Sequence, residues 1–216
     1  MIWLFSDLFT TFFLGAFVSL ITIMNPASAV PLFMSLSATF NDSDTELLAR
    51  RGALYAFVIL TICLFTGSLL LSTFGISYGA LRIAGGIVVA LLGHGMLFGR
   101  NTHGSPPVDQ PHNPAFFPLA LPGLSGPGSI AVVIGLSTEI QEIGSWSGIA
   151  VASVATVTAM ALTCTLIWLT LRSSRAISTR LGRSGIEAMT RLTGFLLICI
   201  GVQFIASGIR SFISDI

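Results

Sequence analysis

Six long apolar stretches, separated by shorter polar ones, dominate the pattern of the chain. A helix that crosses a bilayer needs about 20 largely apolar residues, and each stretch reaches that length. We predict six membrane-spanning helices, at 8–38, 50–73, 77–99, 114–138, 147–171 and 188–210. The first and fourth contain several residues that interrupt helices, whereas the other four are predicted to be continuous.

Prolines lie near the middle of two of these predicted helices. Proline lacks the backbone N–H and its ring clashes with the preceding turn, so an interior proline kinks or ends a helix. The first helix contains Asn25, Pro26 and Pro31, and the fourth contains Pro122 and Pro127 within PLALPGLSGPGS. We expect these prolines to break helices 1 and 4 near the bilayer midplane.

Composition agrees with this pattern and excludes a soluble protein. Hydrophobic residues make up 53% of the chain and charged residues 9%, against about a quarter charged in soluble domains. We predict a single all-α membrane domain over 1–216. Cys63, Cys164 and Cys199 lie within apolar stretches, which is typical of buried free thiols. The first 14 residues lack the basic start of a signal peptide and are expected to begin a retained helix.

The arginines predict how the chain is oriented. All ten basic residues are arginine, and basic residues concentrate in cytoplasmic loops. The loop predicted between the fifth and sixth helices, 172–184, holds Arg172, Arg175, Arg180 and Arg183. Placing that loop in the cytoplasm puts both termini on the opposite, periplasmic side of the membrane.

A linker is predicted at 101–113, near the midpoint of the chain, because this stretch is rich in Pro, Gly and Asn. Its His103, Asp109 and His112 lack the spacing of a metal site. We expect no metal, no cofactor and, without a basic cluster, no nucleic-acid partner. Membrane lipid and a small solute are the expected partners, and a homo-oligomer is left open.

The two halves of the chain, about 1–100 and 114–216, resemble each other. The stretch NPAS at 25–28 aligns with GPGS at 126–129, and Arg82 and His94 align with Arg191 and Gln203. Three helices in each half require the second half to enter the membrane from the opposite face. We predict two inverted three-helix repeats, an arrangement of secondary transporters. The alternative is an old duplication without a transport role.

The predicted breaks place polar groups near the midplane. Asparagine is a favoured N-cap and proline a favoured first helical residue, so half-helices should begin at Pro26 and Pro127. Free N–H groups and the positive end of a helix dipole bind anionic groups such as a carboxylate. We predict a central solute site formed by Asn25, Ser28, Ser125, Gly126, Gly128 and Ser129. The alternative is that both breaks are kinks that permit tight packing.

Five further polar residues lie within the third and sixth predicted helices: Arg82, His94, Glu187, Arg191 and Gln203. Arginines near helix ends commonly reach the lipid headgroups, so anchoring is the expected role of Arg82 and Arg191, with a gate as the alternative. Glu187 precedes Arg191 by four residues, which predicts an ion pair on one helix face. His94 is a candidate for carrying a coupling proton, although a packing role is expected.

Long stretches of the chain resemble the MarC family of bacterial inner-membrane proteins. They are 74–98 (FGISYGALRIAGGIVVALLGHGMLF), 118–131 (PLALPGLSGPGSIA), 171–177 (LRSSRAI) and 185–205 (GIEAMTRLTGFLLICIGVQFI), together with Asn25-Pro26 and Pro31. The resemblance implies six transmembrane helices, an inner-membrane location and a relation to LysE-type amino-acid exporters. It brings no settled substrate.

We therefore expect a secondary transporter or exporter of small polar solutes, amino acids or related metabolites, that works by alternating access and is not an enzyme. A structural or assembly subunit of the membrane is one alternative. An intramembrane serine protease is another, because Gly123-Leu124-Ser125-Gly126 has the Gly-x-Ser-Gly form of rhomboid proteases. Such a serine needs a neighbouring histidine, and His94 is predicted far from the midplane.

Overall fold

The computed structural model describes residues 2–37, 40–98 and 113–214. They form seven α-helices: α1 (Ile2–Met24), α2 (Pro26–Leu36), α3 (Asp42–Phe74), α4 (Tyr78–Phe98), α5 (Pro127–Gln141), α6 (Trp146–Arg172) and α7 (Ser174–Ser214). Between α4 and α5, Ala115–Leu124 form wide, irregular helical turns, here called the 115–124 segment. These three ranges contain no strand. The linker residues His103, Asp109 and His112 lie outside the described residues.

Within the described ranges, five helical stretches are long and apolar enough to cross a membrane: Ser6–Met24, Asp42–Phe74, Tyr78–Phe98, Trp146–Arg172 and Thr190–Ile213. Their surfaces carry large apolar side chains, of which Leu69 and Leu91 are each 66% exposed. A surface of this kind is stable in contact with hydrocarbon rather than water. The prediction of an all-α membrane protein is confirmed.

The predicted fourth helix, 114–138, falls on two shorter elements, the 115–124 segment and α5. With 15 residues, α5 is about 22 Å long, which is less than the ~30 Å hydrocarbon core of a bilayer. The predicted first helix, 8–38, likewise falls on α1 and on the 11 residues of α2.

Two helices extend further into polar sequence than predicted. The third predicted helix begins at residue 50, whereas α3 begins at Asp42. The predicted loop over 172–184 is wrong, since α7 begins at Ser174 and is interrupted only at Gly182, where φ is 63° and ψ is 179°. Arginine is a good helix former, so a charged stretch can continue a helix beyond the apolar part. Glycine adopts the positive φ at the interruption without steric penalty.

Glycines allow α4 and α7 to pack backbone against backbone. They form three facing pairs, Gly79 with Gly208, Gly86 with Gly201, and Gly93 with Gly194. A Cβ built on Gly86 would lie only 2.6 Å from the carbonyl oxygen of Gly201. Because the start of α4 meets the end of α7, the two helices are antiparallel, and no larger side chain fits at these positions.

The buried core lies between α1, α2, α3, the 115–124 segment, α5 and α6. Each element contributes a fully buried side chain at 0% exposure: Leu20, Phe33, Leu60, Leu119, Val133 and Met160. Both short elements, α2 and the 115–124 segment, are therefore packed inside the protein rather than laid on its surface.

Candidate functional site

The first interruption of interest is at Asn25, between α1 and α2, and is here called the first junction. The φ of Asn25 is 35°, in the left-handed region that asparagine tolerates better than most residues. Its backbone thus differs from the extended conformation of a standard N-cap residue. Its N–H donates to the carbonyl of Ile21 at 3.2 Å. Its side-chain Nδ2 donates to Thr193 Oγ1 of α7 at 3.4 Å.

The second junction lies at Ser125 and Gly126, between the 115–124 segment and α5. Within the segment, Phe117 and Leu121 are extended, with φ of −126° and −123°. Each precedes a proline, whose ring disfavours a helical backbone in the residue before it. Gly126 is extended as the N-cap of α5, and Pro127 takes the first helical position, which proline prefers.

Two buried hydroxyls bind the backbone at the second junction. Ser125, at 0% exposure, donates its Oγ to the carbonyl of Ala120 at 3.0 Å, and its N–H reaches the same oxygen at 2.8 Å. Ser129 donates to the carbonyl of Leu124 at 3.4 Å. Irregular turns leave carbonyls without their usual partners, and buried carbonyls need donors. The hydroxyl protons are thus engaged, while their oxygens can still accept.

The two junctions lie side by side. A Cβ built on Gly128 of α5 would lie 3.2 Å from Ile23 Cγ2 of α1 and would overlap the side chain of Val89. The end of α1 and the start of α5 are therefore in van der Waals contact. Leu32 of α2 would come within 2.8 Å of a Cβ on Gly123 in the 115–124 segment. Apolar groups thus hold the junctions together.

The polar side chains of the predicted solute site have different partners. The Asn25 amide contacts α7, whereas the Ser125 and Ser129 hydroxyls contact the 115–124 segment. Gly126 and Gly128 are buried, Pro26 is half-buried and Pro127 is exposed. The side chains of Ser28, Pro31 and Pro122 lie outside the described part of the structure.

A charged group, here called the Arg82 cluster, joins the start of α4 to the end of α5. Arg82 Nη2 lies 3.4 Å from Glu139 Oε1, and the Tyr78 hydroxyl donates to the same oxygen at 3.2 Å. The Arg82 Cζ lies 4.3 Å from the centroid of the Tyr78 ring, within the range of a cation–π contact. Arg82 is therefore ion-paired across helices rather than extended alone toward headgroups.

The other predicted gate and coupling residues lie on exposed faces. Arg191 Nη2 lies 2.7 Å from Glu187 Oε1, and their side chains are 55% and 63% exposed, so the predicted ion pair is present. His94 is exposed, with its ring 4.6 Å from that of Phe98. Gln203 is exposed as well.

Three residues of these contacts, Thr193, Tyr78 and Glu139, are absent from the sequence-based prediction. Tyr78 precedes Arg82 by four residues, a spacing that places both on one helix face and was a usable signal. Glu139 directly follows the fourth helix predicted from the sequence, 114–138, and so lies outside the predicted helix. Its pairing with Arg82 joins residues 57 positions apart, so no local sequence pattern predicts it.

Known proteins resemble this chain along nearly its whole length. Residues 10–213 match the family described as MarC family integral membrane protein. The chain belongs to the MarC family. Relatives include the inner membrane proteins MarC of Salmonella typhimurium, Citrobacter koseri and Escherichia coli, each 38% identical, with 96% of this chain and 97% of the relative covered. No solved structure matches the chain.

Membership in the MarC family agrees with the resemblance noted in the sequence, and with the apolar helices it identifies a multi-pass inner-membrane protein. Both junctions and the Arg82 cluster fall within the matched residues. The relation to LysE-type exporters stays a prediction.

Proposed function

We propose that this MarC-family chain is a secondary transporter that exports small polar solutes, such as amino acids or related metabolites, by alternating access. The contact of Ile23 with Gly128, where the two junctions meet, carries the proposal. Interrupted helices inside a membrane are tolerated where they are buried in protein or line a cavity. Secondary transporters place their solute sites at paired interruptions of this kind.

In this proposal each junction is a break within one membrane-spanning helix, so the chain crosses six times. The first broken helix consists of α1 and α2, and the second of the 115–124 segment and α5. From Ala115 to Gln141 the second is long enough for a ~30 Å core. The repeats are then 1–100 and 114–216, with opposite orientations.

Packing of the second broken helix supports the inverted repeats. Leu119 of the 115–124 segment contacts Gly52 of α3, and Ile134 of α5 contacts Gly67 further along α3. The second broken helix therefore runs parallel to α3, which is the second helix of the other repeat.

The first broken helix has the reciprocal neighbour. Leu8 of α1 lies 3.6 Å from a Cβ built on Gly148 of α6, and both residues are near the starts of their helices. Thus α1 runs parallel to α6, again the second helix of the other repeat. The third membrane-spanning helix of each repeat is α4 in the first and α7 in the second, and these two pack antiparallel. A two-fold axis in the membrane plane generates this set of neighbours.

The solute site in this proposal surrounds the N-termini of α2 and α5, with Asn25, Ser28, Ser125, Gly126, Gly128 and Ser129 around it. Each N-terminus has free N–H groups and about half a positive charge, which suits a carboxylate. At 3.4 Å the Asn25–Thr193 hydrogen bond is long. We propose that the amide exchanges Thr193 for the solute when the site opens.

The Arg82 cluster is the gate that we propose for one end of the pathway. It joins α4 of the first repeat to α5 of the second, so alternating access requires Arg82 and Glu139 to separate. With the arginine-rich start of α7 in the cytoplasm, both termini and this gate are periplasmic. Glu187, Arg191, His94 and Gln203 are exposed, which favours a surface role, with Arg191 anchored at the lipid headgroups, over coupling.

The contacts of Ser125 argue against the protease alternative. A nucleophilic serine needs a base within hydrogen-bond reach. The Ser125 hydroxyl is buried and donates to the Ala120 carbonyl, and His94 is exposed on α4 beside Phe98. We infer that the glycines around Ser125 serve the helix interruption rather than an active site.

Efflux from proteoliposomes tests the proposed function. Vesicles containing the pure protein and preloaded with radiolabelled L-alanine, L-serine or L-leucine should lose at least one of them faster than protein-free vesicles. Equal rates for all three in both kinds of vesicle would refute export of amino acids by this chain.

A pair of glycine variants tests whether the junctions take part. Gly128→Ala places a methyl group against Val89 and should slow efflux, whereas the matched Gly15→Ala, with nothing within 4 Å of its Cβ, should not. Val89→Ala in the Gly128→Ala background restores space and should recover part of the rate. Equal efflux from the Gly128→Ala and Gly15→Ala proteins would show that the junctions do not take part in transport.

A further inference from the structure

A cavity of about 230 Å³, open to solvent at the protein surface, lies between the start of α3 and the start of the 115–124 segment. Its polar lining consists of Asp44, Arg51 and Asn113, and its apolar lining includes Leu47, Leu48 and Pro114. The volume suits a small metabolite and is below the size of drug-binding pockets. We call it the Asp44 cavity.

Opposite charges line this cavity without neutralising each other. Asp44 and Arg51 are seven residues apart on α3, so they share a helix face at a rise of about 10 Å. Among the described residues, neither side chain has an ion-pair or hydrogen-bond partner. Glu46, in the same stretch of α3, is by contrast paired with Arg172 at 3.4 Å.

The length and direction of helical side chains allow the two charges to approach each other. Side chains on a helix lean toward its N-terminus, so an arginine as long as Arg51 can reach back toward the turn that carries the shorter Asp44 side chain. A ligand of a few ångströms can then bridge the two groups, with Leu47 and Leu48 beside its apolar part.

The third polar group, Asn113, is held in a fixed position. Its Nδ2 donates to the Tyr55 hydroxyl of α3 at 3.3 Å, and its Oδ1 accepts from the N–H of Phe116 at 3.3 Å. The Tyr55 and Phe116 rings also meet edge to face, with centroids 5.7 Å apart. One amide hydrogen of Asn113 remains for a ligand, because the amide nitrogen carries two.

We propose that the Asp44 cavity binds small zwitterions, with the ligand ammonium group at Asp44 and its carboxylate at Arg51. An anion or a cation alone would leave one protein charge without a partner, so a ligand with both charges binds best. Asn113 adds a hydrogen bond to the carboxylate. This site rests on the proposed function, in which it is the cytoplasmic entry site for solute, at the mouth of the second broken helix.

Protection of a cysteine tests the site on the full-length protein in nanodiscs. Leu47 lines the cavity and is 41% exposed, so Leu47→Cys, with Cys63, Cys164 and Cys199 replaced by serine, reports occupancy by its rate of maleimide labelling. The probes are L-alanine, its anionic analogue propionate and its cationic analogue L-alaninamide. Ser43→Cys, exposed nearby but outside the lining, is the matched control.

L-Alanine should slow labelling of Cys at position 47 at a concentration roughly tenfold lower than either analogue requires, because it pairs with both charges. Labelling at position 43 should not change. Asp44→Asn and Arg51→Gln should each abolish the preference for L-alanine, and the double exchange Asp44→Arg with Arg51→Asp should restore it. Equal protection by all three probes, or an unchanged preference in the single variants, would overturn the proposal.

Efflux measurements on the same variants separate this inference from the proposed function. If L-alanine protects position 47 but no vesicle exports solute, the cavity binds zwitterions and the transport proposal fails. If vesicles export solute while position 47 is never protected, transport stands and the Asp44 cavity is not a zwitterion site.

Discussion

At the scale of single residues, the contact that Asn25 makes in the structure competes with the solute-binding role that we propose for it. Its amide holds the first junction to α7 through Thr193, a contact between residues 168 positions apart. The same amide is a candidate ligand for solute. In the proposed mechanism this exchange couples binding to helix movement, because a bound solute would free α7 from the junction.

The Asn25–Thr193 contact predicts a measurable coupling. In a double-mutant cycle with Asn25→Ala and Thr193→Val, the interaction energy should be about 0.6 kcal/mol, the average for hydrogen bonds between membrane helices. Unfolding by SDS in mixed micelles measures it. Thr61→Val is the control, since the Thr61 hydroxyl donates to Phe57 on its own helix, and its cycle with Asn25→Ala should be additive. Additivity of the Asn25 and Thr193 substitutions would contradict the contact.

At the scale of elements, the packing of α4 on α7 depends on residues with no side chain. Hydrophobic surface does not draw helices together within lipid, so close backbone approach and van der Waals contact hold them. The three glycine pairs, spaced by seven residues on each helix, supply that approach along most of α4. This antiparallel pair joins the two halves of the chain.

Alanine substitutions distinguish the packed glycines from an ordinary one. Gly86→Ala places a methyl group 2.6 Å from the Gly201 carbonyl oxygen and should destabilise the protein by about 1–3 kcal/mol, as overpacking does. Gly95→Ala, on the same helix with nothing within 4 Å, should be neutral or stabilising by up to about 1 kcal/mol because alanine favours helix. The same SDS unfolding assay applies, and equal stability of the two variants would show that α4 and α7 do not approach this closely.

At the scale of the whole molecule, ion pairs between helices lie at both ends of the bundle. Arg82 with Glu139 ties α4 to α5, and Arg172 with Glu46 ties α6 to α3, also at 3.4 Å. The four side chains are between 33% and 54% exposed, so water and ions screen both pairs and each is worth at most about 1 kcal/mol. Contacts this weak are compatible with the proposed alternating access, in which each end would have to open.

Breaking the Arg82 cluster should expose the end of α5. Ser137 is 2% exposed and its hydroxyl accepts from the Ser68 N–H of α3 at 3.3 Å. In a background without native cysteines, Ser137→Cys should react slowly with a membrane-impermeant thiol reagent. Adding Glu139→Gln should raise the rate by up to roughly fivefold, the factor that corresponds to the upper value of about 1 kcal/mol for this pair. Adding Glu142→Gln, at an exposed position, should leave the labelling rate unchanged. Equal rates with Glu139→Gln and with Glu142→Gln would show that the Arg82 cluster does not close this end of the protein.

Labelling in intact cells tests the orientation. The proposal places the arginine-rich start of α7 in the cytoplasm, so a cysteine replacing the exposed Ser184 should resist an impermeant thiol reagent. A cysteine replacing the exposed Glu142, at the opposite end, should react. Reaction at position 184 together with protection at position 142 would invert the topology without changing the fold.

Local chemistry explains which parts of the site could be predicted from the sequence. Pro26 and Pro127 start helices because their rings exclude the preceding helical turn, and that effect requires no distant partner. The ion pair of Glu187 with Arg191 is likewise local, at four residues' separation. The helical start of α7 was not predicted, because the prediction relied on apolar stretches and this part of α7 is rich in arginine.

Taken alone, the sequence determined that this protein is helical and resides in a membrane, since apolar stretches of bilayer length have no other stable arrangement in lipid. It also determined where α2 and α5 begin. Only the tertiary structure decided that Asn25 binds Thr193, that Glu139 binds Arg82 and that glycines of α4 face glycines of α7. Each of these contacts joins residues at least 57 positions apart. They depend on how the helices pack, which no local property of the sequence specifies.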